Sequence, residues 1–185
     1  MNVLLTSCGL ETKVIEEAFM NMLNREISDV KAMFIPTAAI SPDAIEVLPK
    51  CLNDLLKCGI RRENICVYDL HEYIKEDTLE TYDIIYLCGG NPEYLLKRIR
   101  EQGFNMKIES FINKGGVVVG VSAGSIIFAN NMTNNLGLLQ CSLDVHCSDD
   151  ICEKAGHYKK DREERIRLGN MQAIVFENED IVIIE

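Results

Sequence analysis

The amino-acid sequence predicts an α/β fold in which a parallel sheet is covered on both faces by helices. Three observations predict it. Short apolar, β-branched runs recur along the chain, as at Val3-Leu4-Leu5, Ile65-Cys66-Val67 and Val117-Val118-Val119. Segments with apolar residues at helical spacing separate them, for example Val14, Ile15, Ala18, Phe19, Met22 and Leu23. The run ending at Val121 then passes through Gly120-Val121-Ser122-Ala123-Gly124 into the apolar, helix-compatible Ser125-Ile126-Ile127, which is how strand, sharp turn and helix read in sequence.

The elements follow in order. Val3 to Leu5 is a strand, closed by the turn Ser7-Cys8-Gly9, and Glu11 to Asn24 has helical spacing. Val30 to Ile35 is a second strand ending at Pro36. Ser41 is an N-cap followed by proline at the first helical position, opening a helix towards Cys58 and Gly59 that Pro49 is placed to kink. Ile65 to Tyr68 and Asp83 to Leu87 are further strands; Pro92 to Arg100, opened by Asn91, and Met106 to Asn113 are helices. Beyond the serine turn, Leu136–Leu139 and Ser142–His146 read as short extended segments. Asp161 to Leu168 reads as a helix with Ile166 its main apolar contact. Ala173–Phe176 and Ile181–Ile184 flank a polar turn, Glu177 to Asp180, as a hairpin.

Composition narrows the function classes. At 185 residues the chain reads as one domain, residues 1–185, apparently shortened at its C-terminus. A net charge of −10 argues against nucleic acid, which needs a basic face. No apolar stretch approaches the ~20 residues of a membrane span, and the first residues lack the pattern of a secretory signal. A cytoplasmic protein, monomeric or homodimeric, is the expectation. The eight cysteines form no C-x-x-C pair and are read as reduced thiols. Cys141, Cys147 and Cys152 with His146 and His157 offer a zinc reading, but their spacing is irregular, and no metal or other cofactor is expected.

The chemistry begins at Ser122. Glycines two residues before and after it leave room for a turn too tight for Cβ atoms. A serine hydroxyl needs a base to remove its proton, and there are only three histidines. His71 lies in an acidic, surface-like stretch and His157 in a polar one. His146 ends an extended segment downstream of the serine, so His146 is the best base on position. An acyl-transfer site also needs donors for the developing oxyanion. The N–H of Ala123 is one, and the backbone of Gly89-Gly90, between a strand and a helix, offers another.

Taken together, Leu87-Cys88-Gly89-Gly90-Asn91, Gly120-Val121-Ser122-Ala123-Gly124-Ser125, Asp144-Val145-His146 and Arg162-Glu163-Glu164-Arg165-Ile166 resemble the peptidase E and cyanophycinase family of serine peptidases. The resemblance runs from the first strand to about Arg167. It implies a class I glutamine amidotransferase-like, flavodoxin-like fold: a three-layer sandwich with a mostly parallel central sheet and the elbow after a central strand. It further implies Ser122 as nucleophile, His146 as general base, and the N–H groups of Gly90 and Ala123 as oxyanion donors. The implied substrate is a small peptide, with N-terminal-aspartyl dipeptides foremost. Arg162 falls where that family grips the aspartate carboxylate, a task suited to a guanidinium, and Asn91 is a second substrate-binding candidate.

The third catalytic member is where this chain departs from the pattern. The interval from serine to histidine is short, and Asp144 is its only carboxylate. Asp144 is therefore the acid candidate, although residues two apart on a strand rarely meet through the ring nitrogen. Asn134 or Asn135 offers an uncharged substitute. The alternative function is a weakly active or non-catalytic binding member of the same fold.

Overall fold

The structure, a computed structural model, describes every residue except Glu72, Asn178 and Glu179. The chain runs β1 (Val3–Thr6), α1 (Lys13–Asn21), β2 (Ala32–Ile35), α2 (Pro42–Glu46), α3 (Leu48–Lys57), β3 (Ile65–Val67), α4 (Glu76–Leu79) and β4 (Ile84–Leu87). It continues through α5 (Pro92–Glu101), α6 (Phe104–Asn113), β5 (Val117–Val121), α7 (Ala123–Ile126), β6 (Leu143–Cys147), β7 (Gly156–Lys159), β8 (Ile166–Gly169), β9 (Ala173–Glu177) and β10 (Asp180–Ile184).

The main sheet has the order β3-β2-β4-β5-β1-β9-β10-β7. Its first five strands are parallel, and β9, β10 and β7 join antiparallel. Of the parallel strands, β2, β4, β5 and β1 are buried on both faces, which explains their unbroken apolar runs, and β3 is the exposed edge. Alternation then sorts the side chains. Ile85 and Leu87 of β4 pack with α5, α6 and the residues after α7, whereas Ile84 and Tyr86 pack with α1 and α3. Two cores result, one on each side, and the expected mostly parallel α/β architecture is the observed one. No helix among the described residues is long and apolar enough to cross a membrane.

Local chemistry sets the helix ends. Thr12, Ser41 and Asn91 each accept a backbone N–H three residues on, and Pro42 and Pro92 follow two of these caps. The helix expected from Ser41 to Cys58 is two helices, because Pro49 lacks an N–H and fits only the first turn of a new helix, α3.

Two expectations are corrected, and strand β7 and the length of the helix behind Ser122 are added. Asp161 to Leu168 is not a helix: Ile166–Gly169 is strand β8, in which Ile166 and Leu168 are buried and Arg167 is exposed, a period of two. Leu136–Leu139 is not a strand; the N–H groups of Leu136, Leu138 and Leu139 bond instead to the carbonyls of Ile127 and Phe128. The polar stretch around His157 contains strand β7, pairing with β10 at the sheet edge. The helix behind Ser122 is only four residues long. The hairpin of β9 and β10 is present, but Asn178 and Glu179 of its turn lie outside the described residues.

One buried carboxylate ties the α3 layer to the sheet. Asp54 accepts from the Leu10 N–H at 3.1 Å and from the Tyr86 hydroxyl at 3.0 Å. Burial pushes its pKa up, against the lowering effect of those two bonds. Asp54→Ala strands two buried donors and is expected to lower the unfolding free energy by about 2–4 kcal/mol in a urea titration. A raised native pKa means the folded state holds the Asp54 proton more tightly. Its contribution is full below the unfolded value near ~4 and lost as pH rises through the folded value. Stability measured from pH ~4 upward should therefore lose this pH dependence in Asp54→Asn.

Candidate active site

Ser122 stands at the end of β5 with φ 50° and ψ −109°, a conformation an L-residue holds only under constraint from its surroundings. The constraint is visible. The Ser122 N–H bonds to the Thr6 carbonyl at 3.0 Å. The buried Ser125 hydroxyl sits 2.8 Å from both the Thr6 and the Gly120 carbonyl oxygens. A Cβ on Gly124 would lie 2.2 Å from the Leu87 carbonyl oxygen, and one on Gly120 would lie 2.5 Å from the Gly124 oxygen. The two glycines let the turn fold onto the ends of β4 and β5.

His146 reaches this turn from β6. The pairing of β6 with β8 slips between Asp144 and Cys147, and His146 in the slip has φ 59°. Such a bulge re-aims one side chain out of the strand's alternation. The His146 N–H bonds to Ser7 Oγ at 2.9 Å, anchoring the bulge to the loop after β1. Its ring then meets the serine, with Nε2 lying 2.9 Å from Ser122 Oγ.

The other ring nitrogen, Nδ1, lies 3.1 Å from Asn170 Oδ1. Asn170 sits in the turn from β8 to β9. The buried Gln172 braces that turn: its Oε1 accepts from the Gly169 N–H at 2.9 Å, and its backbone carbonyl accepts from the Ser7 N–H at 3.1 Å. Cys8 completes the cluster, with Sγ 3.4 Å from His146 Nδ1 and 3.3 Å from Asn170 Oδ1.

Of the expected residues, Ser122 and His146 are brought together and Asp144 is not. The Asp144 carboxylate turns away along the strand and pairs with Arg165 at 3.0 Å. Asn134 and Asn135 do not take its place: the Asn134 carbonyl accepts from Arg100, and the Asn135 side chain closes its own loop onto Met132 and Gly137. Asn170 had been hidden by the helix expected over 161–168. Read as a strand, Ile166–Gly169 makes Asn170 the polar tip of a tight turn between apolar strands, which is the signal that would have exposed it.

The Ala123 N–H opens α7, where an N–H has no partner within the helix. Gly90 has φ 139°, and a Cβ there would lie 2.0 Å from the Ala38 carbonyl oxygen. Neighbouring Gly89 faces Ser122, since a Cβ on it would be 3.3 Å from Ser122 Cβ. The Asn91 side chain is occupied as the cap of α5, accepting from the Tyr94 N–H at 2.9 Å. Arg162 is only 14% exposed; its guanidinium lies 3.4 Å from Glu153 and 3.3 Å from Glu164, over the Tyr158 ring.

His71 contacts Tyr94 and Asp69 at the surface, and His157 lies on edge strand β7. Among the described residues, no three His, Cys, Asp or Glu side chains gather to hold a metal ion. A cavity of about 510 Å³, lined in part by Asp83, Phe111 and Val117, lies at the opposite ends of β4 and β5 from Ser122.

A strained serine at a strand-to-helix turn, with a histidine on its oxygen, is the geometry of a nucleophile elbow in an α/β hydrolytic fold. Comparison with known proteins gives the family: the chain matches Peptidase family S51 over residues 3–184. It belongs to that family and is a peptidase. It is 29% identical over 180 residues to a peptidase E of Salmonella arizonae, covering 89% of this chain and 76% of that one. It is 27% identical over 150 residues to a peptidase E of Shigella sonnei, covering 74% of this chain and 62% of the relative. Among solved structures it is similar to a candidate peptidase E protein from Listeria monocytogenes EGD-e. That likeness has a TM-score of 0.78 at 20% identity, over 100% of this chain and 98% of that one. A peptidase from an acI-B1 Actinobacterium matches with a TM-score of 0.61 at 17% identity, over 93% of this chain and 81% of that one.

The elbow geometry makes a direct prediction. Gly124→Ala drives a methyl into the Leu87 backbone, and thermal unfolding should show a loss of at least about 2 kcal/mol.

Proposed function

We propose that the protein is a serine peptidase of small peptides, with Ser122 as nucleophile and His146 as general base. The observation that carries the reading is the 2.9 Å contact between Ser122 Oγ and His146 Nε2, backed on the far side of the ring by Asn170. In this reading Nδ1 carries the ring proton and donates to Asn170 Oδ1, leaving Nε2 free to accept the serine proton. Ser122 attacks the peptide carbonyl, and the oxyanion takes hydrogen bonds from the N–H groups of Ala123 and Gly90. The imidazolium returns its proton to the leaving amine. Water activated by the same histidine then releases the acyl group.

N-terminal-aspartyl dipeptides are the substrates to test first. Peptidase E relatives and the position of Arg162 support the choice. Glu153 and Glu164 already partner that guanidinium, so an acidic substrate group would have to displace one of them. Glu164, with its side chain 86% exposed, is the easier to move. The uncharged Asn170 favours a second reading, a slow or chiefly binding member of the fold, because an amide balances the imidazolium less well than a carboxylate.

Kinetics separate the two. Ser122→Ala and His146→Ala should each abolish hydrolysis of Asp-x dipeptides and labelling by a fluorophosphonate probe. Wild-type protein that neither hydrolyses these dipeptides nor takes the probe would exclude the peptidase mechanism proposed here. Asn170→Asp should raise kcat about fivefold, the scale of one added charge near the imidazolium in a solvated site.

A further inference from the structure

We propose that Cys8 is a positioning residue: its thiol proton, donated to Asn170 Oδ1, sets which end of that amide faces His146 and hence which ring nitrogen carries the proton. The inference rests on the reading of Ser122 and His146 given above.

The problem it answers arises from asparagine itself. A carboxylate only accepts hydrogen bonds, so a carboxylate at Nδ1 selects the Nδ1–H tautomer. An amide accepts at one end and donates at the other. Two self-consistent arrangements therefore exist at Asn170. In one, Oδ1 faces Nδ1–H and Nε2 is a free base. In the other, the amide NH₂ donates to a bare Nδ1, the proton sits on Nε2, and Nε2 can no longer take the proton of Ser122. The two differ by an amide flip and a tautomer shift, and the ring and amide alone distinguish them only weakly.

Cys8 biases the choice. Its sulfur is 3.3 Å from Asn170 Oδ1 and 3.4 Å from His146 Nδ1, so it faces the atoms whose polarity is in question. A thiol proton pointing at Asn170 is satisfied by Oδ1, which then accepts from both Cys8 and Nδ1–H. In the flipped amide the thiol proton has to turn away from the NH₂, so the S–H···Oδ1 bond is lost and sulfur is left only as a weak acceptor. The argument requires a neutral thiol. Burial, with Glu11 nearby, raises the Cys8 pKa and outweighs the opposing Ser7 hydrogen bond and the more distant Lys50. The place is well defined, because Ser7 beside Cys8 holds both the His146 N–H and the Gln172 carbonyl.

The test reads the tautomer directly, from ¹⁵N shifts of the histidine ring, with His146→Ala assigning the signals. Wild-type protein should show the Nδ1–H form of His146. Cys8→Ala should raise the Nε2–H fraction and slow fluorophosphonate labelling of Ser122 about fivefold, the scale of one modest hydrogen bond. The probe's saturation constant should not move. Cys8→Ser retains a donor and should restore the wild-type tautomer. In an Asn170→Asp background the thiol has no amide to orient, so adding Cys8→Ala should have no effect on tautomer or rate. A wild-type tautomer in Cys8→Ala, a Cys8→Ser protein that behaves like Cys8→Ala, or an equal loss in the Asn170→Asp background would each overturn the proposal. The ring shifts need no turnover. A Ser122 that resists the probe therefore counts against the serine reading, while the NMR still decides the role of Cys8.

Discussion

The site depends on how closely the Ser122 turn can approach the strands beneath it. Ser125 shares one buried hydroxyl proton between carbonyl oxygens of β1 and β5, and Gly124 lies against the Leu87 carbonyl of β4. These contacts hold three neighbouring parallel strands and the start of α7 in one register. Ser122 can then occupy a backbone conformation that isolated chains avoid. The β4 end is shared with Gly89 and Gly90, so the turn that carries the serine and the loop offered as oxyanion donor rest on the same backbone.

The groups that act on Ser122 come from elsewhere. His146 belongs to the small β6–β8 pair and Asn170 to the turn leaving it, outside the five-stranded parallel layer. Leu143, Ile166 and Leu168 pack this pair into the core beside Ile127 and Phe128, and polar bonds place its functional ends. Ser7 accepts the His146 N–H and donates its own N–H to Gln172, which in turn shapes the Asn170 turn. The proposed nucleophile is thus fixed by close backbone packing, and the ring of the proposed base is aimed by hydrogen bonds. Packing tolerates little displacement, whereas each such bond contributes about 1 kcal/mol. Variation in activity should concentrate in the second set.

That division also explains what was legible in the sequence. Strand and helix periodicity, the caps at Thr12, Ser41 and Asn91, and the glycines around Ser122 are local signals. Each records a constraint that acts within a few residues. His146 was legible because histidines are scarce. Asn170 was not, because nothing in its neighbours reports that a turn 24 residues further on returns to the same ring. The helical reading of Asp161–Leu168 compounded this, since charged residues between Ile166 and the preceding strand resemble an exposed helix face. Asp144 misled for the opposite reason: it lies near His146 in sequence, but the β6 bulge sends the two side chains to different partners, Arg165 and Ser122.

An amide in the third position has a consequence that exposure moderates. Two unit charges ~4 Å apart interact by about 1 kcal/mol in water and about 4 kcal/mol at an effective dielectric of 20. His146 and Asn170 are both exposed, which sets the loss from an uncharged partner towards the lower figure. Solvent supplies part of the stabilisation that a buried carboxylate would otherwise give the imidazolium. Orientation is different, because water cannot select a tautomer. In a solvated site the third group matters less as a charge than as a fixed acceptor. For an amide, being fixed is the property that cannot be taken for granted.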